Sequence, residues 1–157
     1  GRREVMEAAQ SSFISSTFWT ERIGPTAALK TLGVMERIKS WEIITATGNT
    51  IRQRWMQLAQ KYALAIEIWG LPALSGFTIK SSNPLAYKTL ITQEMLAKGY
   101  LAANSVYVCI DHTPAIVDSY FDALDPIFSQ IRACEEGMDI MTLLKGPVCH
   151  AGFKRLN

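Results

Sequence analysis

The spacing of the large apolar residues changes near residue 62, and this change limits the folds that the chain can adopt. Before that point such residues recur at intervals of three, four or seven positions: Ile44, Ile51, Trp55, Leu58 and Tyr62. This rhythm indicates a long helix with one buried face. Beyond it, residues 65–69 and 76–79 alternate as strands do, joined by a connection that reads Gly-Leu-Pro-Ala-Leu-Ser. The chain must therefore combine helices with a sheet.

The same reasoning places the remaining elements. Helices are expected over residues 2–10, 25–40, 40–62, 84–98, 113–134 and 139–144, and a third strand over 105–110. In the second helix the expected buried face consists of Ala28, Leu32, Met35 and Ile38, and in the last long helix of Ile116, Tyr120, Leu124, Ile127 and Ile131. This order predicts an α+β fold. A small antiparallel sheet of three to four strands would be covered on one face by helices and preceded by a connecting helix.

Two small residues of the helix over 40–62 have opposite expected effects. Ser40 is placed to cap the N-terminus of this helix. Gly48 lies inside it and should weaken it by about 1 kcal/mol relative to alanine.

Composition and charge argue against two kinds of partner. Of the 157 residues, 48% are hydrophobic, which is rich for a lone domain and is expected if part of its surface is normally covered. The net charge of +2, without a basic cluster, gives no electrostatic reason to bind nucleic acid. The most apolar window, residues 62–79, contains Glu67, Gly70 and Pro72, so no membrane helix is expected.

The three cysteines indicate the compartment. Cys109, Cys134 and Cys149 are far apart, and no pair has C-x-x-C spacing. This pattern fits neither a disulfide framework nor a zinc site, and the chain has only two histidines, so no metal is expected. The N-terminal residues are charged and lack an apolar run, so no signal peptide is predicted. We therefore expect a cytoplasmic protein.

Two stretches carry residues that are capable of chemistry. In residues 15–25 (Ser-Ser-Thr-Phe-Trp-Thr-Glu-Arg-Ile-Gly-Pro), small hydroxyls and Arg22 precede a helix N-terminus. Such groups can hold a phosphate, although an ordinary loop with polar caps has the same composition. The second stretch, Asp111-His112-Thr113, lies where a strand ends and a helix begins. There His112 could serve a functional site, or its ring could simply meet backbone or water.

The first stretch resembles a segment of the class III pyridoxal-phosphate (PLP) aminotransferases. That segment usually reads Gly-Thr-Phe-x-x-Asn-Pro-Leu-Ala and can be laid without a gap on the residues around Thr17 and Phe18. Three later passages are similar to the same family, in the same order: the strand pair at 66–70 and 77–79, Leu-Ala-Lys-Gly-Tyr at 96–100, and the strand at 108–113 that ends in His-Thr. The resemblance covers nearly the whole chain and is greatest to the glutamate-1-semialdehyde aminomutase group.

This resemblance implies the C-terminal portion of a PLP enzyme. Residues 1–39 would be the end of the large cofactor-binding domain, with its interface loop and connecting helix. Residues 40–157 would be the C-terminal small domain with an extra tail. The full-length parent would be a homodimer that moves an amino group on a small amino acid or semialdehyde. By the same resemblance, Thr17 would donate a hydrogen bond to the PLP phosphate of the neighbouring subunit.

The resemblance also implies that the fragment alone is inactive. The Schiff-base lysine of the family would lie upstream of Gly1, and neither Lys98 nor Lys145 has its sequence context. No catalytic residue, metal ligand or stably bound cofactor is therefore expected in this chain. The alternative is a self-contained α+β module for binding or dimerisation, without chemistry of its own.

Two departures from the family pattern suggest a substrate other than glutamate semialdehyde. Glu21 and Arg22 replace the usual Asn-Pro, and the tail over 146–157 is longer than the family core. Arg22 could meet an anionic substrate or could form an ion pair with Glu21.

Overall fold

The structure of the chain, a computed structural model, describes residues 2–12 and 21–152. It divides into two compact units, Gly1–Lys39 and Ser40–Asn157. In the first unit, helix α1 spans Arg3–Ala8 and continues as a 3-10 turn at Ala9–Ser11, and helix α2 spans Ile23–Ile38. No residue of α2 is buried, so the prediction of a buried face on this helix is wrong. Helix α1 likewise contains no buried residue.

The second unit contains the sheet and three long helices. Its elements are helix α3 (Ser40–Lys61), strands β1 (Ile66–Leu71) and β2 (Leu74–Ile79), helix α4 (Pro84–Ala97), strand β3 (Ser105–Tyr107) and helix α5 (Pro114–Glu135). A 3-10 turn follows at Ile140–Thr142. The strands pair antiparallel in the order β1-β2-β3. The predicted α+β fold with a small antiparallel sheet is confirmed.

Both hairpin strands are longer than the sequence indicated, and the third strand is shorter. β1 and β2 stay paired as far as Leu71 and Leu74, which leaves a turn of Pro72 and Ala73 alone. Gly70, at φ +82°, allows the close pairing beside this turn. β3 ends at Tyr107 because the chain then turns back, with the His112 N–H donating to the Cys109 carbonyl at 3.2 Å.

The two faces of the sheet differ in their cover. Phe77 of β2 is fully buried, with its ring 5.0 Å from that of Trp55 on α3 and 5.8 Å from that of Phe128 on α5. On the opposite face the pairing register aligns four apolar side chains that remain exposed: Trp69, Leu71, Leu74 and Tyr107. We call these four residues the outer face. The helices therefore cover one face of the sheet, as predicted.

The long helices bury most of the residues that their periodicity selected. Ile51, Trp55 and Leu58 of α3 are buried, as are Tyr120, Leu124, Ile127 and Ile131 of α5. The expected burial of Ile116 is wrong, because it lies in the first turn of α5 and is 47% exposed at the rim of a cavity. The capping role expected for Ser40 is also wrong: its hydroxyl is buried without a hydrogen-bond partner among the described residues.

Candidate functional site

The residue assigned to a cofactor by resemblance, Thr17, lies outside the described residues, so its role stays a prediction. Glu21 and Arg22 follow it at the start of α2. The Glu21 carboxylate accepts hydrogen bonds from the backbone N–H groups of Ile23 and Gly24. A carboxylate in this position also meets the positive end of the helix dipole. Glu21 therefore stabilises the N-terminus of α2, while Arg22 is exposed.

His112 is held in a fixed orientation between β3 and α5. Its Nδ1 accepts a hydrogen bond from the Cys109 N–H at 2.9 Å. Directly after it, Thr113 caps α5 by accepting from the Ile116 N–H. Because Nδ1 is an acceptor, the neutral imidazole carries its proton on Nε2. Among the described residues this Nε2–H has no hydrogen-bond partner, so His112 offers one free donor.

A cavity of about 320 Å³ lies beside His112, where four parts of the second unit meet. They are α3, the loop that follows α4, strand β3 and the first turns of α5. The lining residues are Ile51, Tyr100, Leu101, Ala102, Ser105, Val106, Tyr107, His112, Ile116, Val117 and Tyr120. The walls are therefore aliphatic and aromatic, with a few polar groups among them.

The polar side chains of this cavity are hydroxyls and one imidazole. The Tyr120 hydroxyl accepts a hydrogen bond from the Trp55 indole N–H at 3.0 Å, which leaves its own proton available. Burial raises the pKa of Tyr120 above its ordinary value, so the phenol stays protonated. The Tyr100 hydroxyl bonds to that of Ser119. No lysine, arginine or carboxylate is among the described residues that line this cavity.

A smaller cavity of about 120 Å³ shares His112 and Val117 with the first one. Its charged residues already have partners within the protein. Arg54 pairs with Asp118, and its guanidinium lies 4.3 Å from the centre of the Phe121 ring. These contacts leave Arg54 poorly placed to bind an anionic ligand.

Three lysines of the second unit are held by contacts within the protein. PLP-dependent enzymes use a lysine amine for covalent attachment and a carboxylate beside the pyridine nitrogen. Lys61 and Lys80 are paired with Asp125 and Glu67, while Lys98 donates to the Ala123 carbonyl at 2.7 Å. Another cavity, of about 220 Å³, does contain a lysine, Lys88, but no carboxylate lines it.

Residues 2–12 and 21–152 contain neither a candidate metal centre nor a candidate membrane span. No group of three or more His, Cys, Asp or Glu side chains there is placed to hold a metal ion. No helix in this part of the chain is long and apolar enough to cross a membrane.

Two comparisons relate the chain to known proteins, although no protein-family model matches it. It is 28% identical over 138 residues to the 3-aminobutyryl-CoA aminotransferase of Cloacimonas acidaminovorans (strain Evry), which corresponds to 84% of this chain and 33% of that protein. The chain thus spans about a third of the length of this curated relative.

The fold is also similar to that of a solved structure, the PLP internal aldimine form of the Sphingopyxis sp. MTA144 FumI protein. The TM-score is 0.75 at 19% sequence identity, covering 92% of this chain and 36% of the FumI chain. At this identity the likeness concerns the fold alone. Together the two comparisons confirm the resemblance to the class III PLP aminotransferases.

The cavity was not predicted from the sequence, although one of its residues was singled out. His112 was a candidate functional residue because it follows a strand and precedes a helix. Its neighbours Ile51, Ser105 and Tyr120 come from segments far apart in the chain, and their approach depends on how α3 and α5 pack against the sheet.

Proposed function

We propose that the chain is part of a PLP-dependent aminotransferase or aminomutase that moves an amino group on a small substrate. The observation that carries this proposal is the 28% identity over 84% of the chain to an aminotransferase, and the fold match to a PLP-containing protein is consistent with it. When bound, PLP supplies an electron sink for the carbon that carries the amino group. In this proposal the attachment lysine belongs to another part of a longer polypeptide.

The contribution of this chain would be structural and interfacial. Residues 1–39 would complete the cofactor-binding domain, with Thr17 donating to the PLP phosphate across a homodimer interface. Residues 40–157 would form the small domain. The relative named above acts on a 3-aminobutyryl-CoA substrate by its name. A small β-amino acyl compound is accordingly one substrate class to test.

The experiment compares the 157-residue chain with the longer polypeptide that contains it. Each is mixed with excess PLP and dialysed at neutral pH, and the visible absorbance that remains is measured. We expect a stable band for the longer protein and none for the chain alone, because in this proposal the attachment lysine lies outside the chain. A stoichiometric band traced to one lysine of the chain would overturn the proposal.

Thr17 gives the sharpest test of the proposed site. A hydroxyl that donates to a phosphate dianion contributes about 1.5–3 kcal/mol, so Thr17→Ala should weaken PLP binding roughly 10- to 150-fold. Thr17→Ser keeps the donor and serves as the matched control. PLP titration of the apo longer protein measures the effect, with dimer dissociation followed alongside because cofactor and dimer would be linked. If Thr17→Ala binds PLP as tightly as wild type, the proposed contact between Thr17 and the PLP phosphate is wrong.

A second candidate is a binding module without chemistry. The observation that favours it is the 320 Å³ cavity, whose lining residues all lie within the second unit. If the longer protein binds no PLP, while this cavity binds a ligand, the module is the better description.

A further inference from the structure

The 320 Å³ cavity combines a fixed geometry with a specific chemistry. Three of its hydrogen-bonding side chains are anchored by other contacts: His112 by the Cys109 N–H, Tyr120 by the Trp55 indole and Tyr100 by Ser119. Anchored polar groups in apolar walls are typical of sites that orient small ligands. The volume is at the small end of the range for ligand pockets, roughly 300–1,000 Å³.

The donors among the cavity-lining residues favour a neutral acceptor. His112 offers its Nε2–H, and Tyr120 keeps a hydroxyl proton after accepting from Trp55. A ligand anion would lose its hydration without gaining a cationic partner, and an ammonium group would meet no carboxylate. A carbonyl or amide oxygen can accept from neutral donors at a much lower desolvation cost.

The remaining walls fit a ring or a short alkyl group. Tyr100 and Tyr120 present aromatic surfaces, and Ile51, Val106 and Val117 present aliphatic ones. Aromatic surfaces favour offset or edge-to-face contact with a ligand ring. We propose that this cavity is a binding site for small neutral molecules that carry a carbonyl group on an apolar ring or chain. This inference depends neither on PLP nor on amino-group transfer.

The test is an NMR titration of the 157-residue chain with three probes of similar size and shape. Benzamide is neutral, benzoate is anionic and benzylamine is cationic. The reporter is the indole N–H resonance of Trp55, assigned with Trp55→Phe, because its acceptor Tyr120 lines the cavity. We expect saturable shifts with benzamide at a Kd on the order of 1 mM, as suits so small a ligand. Benzoate and benzylamine should bind roughly tenfold more weakly or not at all, since their charges find no partner.

Two matched pairs of variants localise the binding. Ala102 lines the cavity and Ala103 does not, so Ala102→Leu should abolish benzamide binding and Ala103→Leu should retain it. His112→Asn keeps an acceptor for the Cys109 N–H but removes the Nε2 donor. It should weaken benzamide about 2- to 12-fold, the value of one hydrogen bond. The exposed histidine gives the control, His150→Asn, which should bind like wild type.

Three results would overturn the inference: no saturable shift in wild type, benzoate binding as tightly as benzamide, or unchanged binding in Ala102→Leu. The backbone spectrum of each unliganded variant reports whether it is folded. If Ala102→Leu does not fold, the comparison of His112→Asn with His150→Asn decides the question alone.

Discussion

Gly48 lies in the middle of α3, where the turn between β1 and β2 comes against the helix. A Cβ at this position would lie 1.9 Å from the carbonyl oxygen of Pro72 and 2.4 Å from its carbonyl carbon. Helix propensity alone would favour alanine by about 1 kcal/mol. Gly48 lowers the intrinsic stability of the helix, but its lack of a side chain lets α3 approach the β1–β2 turn.

Replacing this glycine should destabilise the protein. Gly48→Ala forces the helix and the turn apart, and we expect the free energy of unfolding to fall by about 1–3 kcal/mol, as in other overpacked sites. The control is Gly33→Ala in α2, where an added Cβ meets nothing within 4 Å. Urea denaturation of both variants measures the difference. An unchanged unfolding midpoint for Gly48→Ala would mean that the close approach to Pro72 is absent.

Buried tyrosines should make the protein sensitive to alkaline pH. Burial raises the pKa of Tyr120. Burial also raises the pKa of Tyr87, and the hydrogen bond to Glu135 is a second, smaller cause. Below the unfolded pKa, near 10, both states are protonated and stability is unaffected. Above it the unfolded state loses protons first, so unfolding becomes easier by about 1.4 kcal/mol per pH unit for each such group.

Chemical denaturation between about pH 9 and 12 tests this, with Tyr120→Phe as the variant that should show a shallower loss. Tyr107→Phe is the control, because that ring is 72% exposed. If Tyr120→Phe and wild type lose stability with the same slope, the pKa of Tyr120 is not raised in the folded protein, which contradicts the expectation.

At the scale of elements, the segment after α5 is attached to α4 by hydrogen bonds to side chains. The Lys145 N–H donates to Oε1 of Gln93 at 2.7 Å, and Nε2 of Gln93 donates to the Leu143 carbonyl at 2.9 Å. Farther along, the Cys149 N–H donates to the Thr89 hydroxyl at 2.9 Å. The helix expected over residues 139–144 is limited to the 3-10 turn at Ile140–Thr142, and these bonds explain how the segment is ordered without further regular structure.

Two threonines of α4 allow this attachment to be tested. Both Thr89 and Thr92 donate to the carbonyl four residues earlier, but only Thr89 also accepts from the tail. Thr89→Val should therefore speed hydrogen exchange of the Cys149 amide by about 2- to 12-fold, the equivalent of one hydrogen bond. Thr92→Val should leave it unchanged. Equal exchange in the two variants would show that the tail is held by other contacts.

The positions of helices and strands were predictable from the sequence where one spacing of apolar residues continues along the whole element. α3, α4 and α5 lie close to the predicted positions, because their apolar spacing persists over several turns. The two-residue turn at Pro72 and Ala73 was not predicted, since Gly70 and Pro72 indicate a longer loop. β3 was overpredicted because residues 108–110 have strand-like side chains, whereas the turn that presents His112 ends the pairing.

The candidate site was less predictable, for a different reason. The interpretation of Thr17 rests on resemblance and concerns residues outside the described part of the chain. The cavity depends on contacts between residues separated by as many as 69 positions, from Ile51 to Tyr120. No local pattern encodes such an approach. The free Nε2 of His112 likewise follows from one backbone hydrogen bond that cannot be read from the sequence.

At the scale of the whole molecule, the outer face of the sheet should make the 157-residue chain self-associate. Leu71 and Tyr107 are each 72% exposed on it, and contiguous apolar surface of this kind drives association. We expect concentration-dependent sedimentation that the double variant Leu71→Lys and Leu74→Lys reduces. The double variant Met138→Lys and Met141→Lys, at similarly exposed positions elsewhere, is the control. A wild-type chain that stays monomeric at all concentrations contradicts the expectation.

The central position of β2 has a consequence for the rate of folding. β1 and β2 are joined by a two-residue turn. β2 and β3 are separated by the 25 residues between Ile79 and Ser105, which include α4, so their pairing requires a much longer loop to close. Closing that longer loop costs more chain entropy. The hairpin should therefore belong to the folding nucleus, whereas β3 joins after the barrier. Substitutions in β3 would accordingly shorten the lifetime of the native state and leave the speed of its formation almost unaltered.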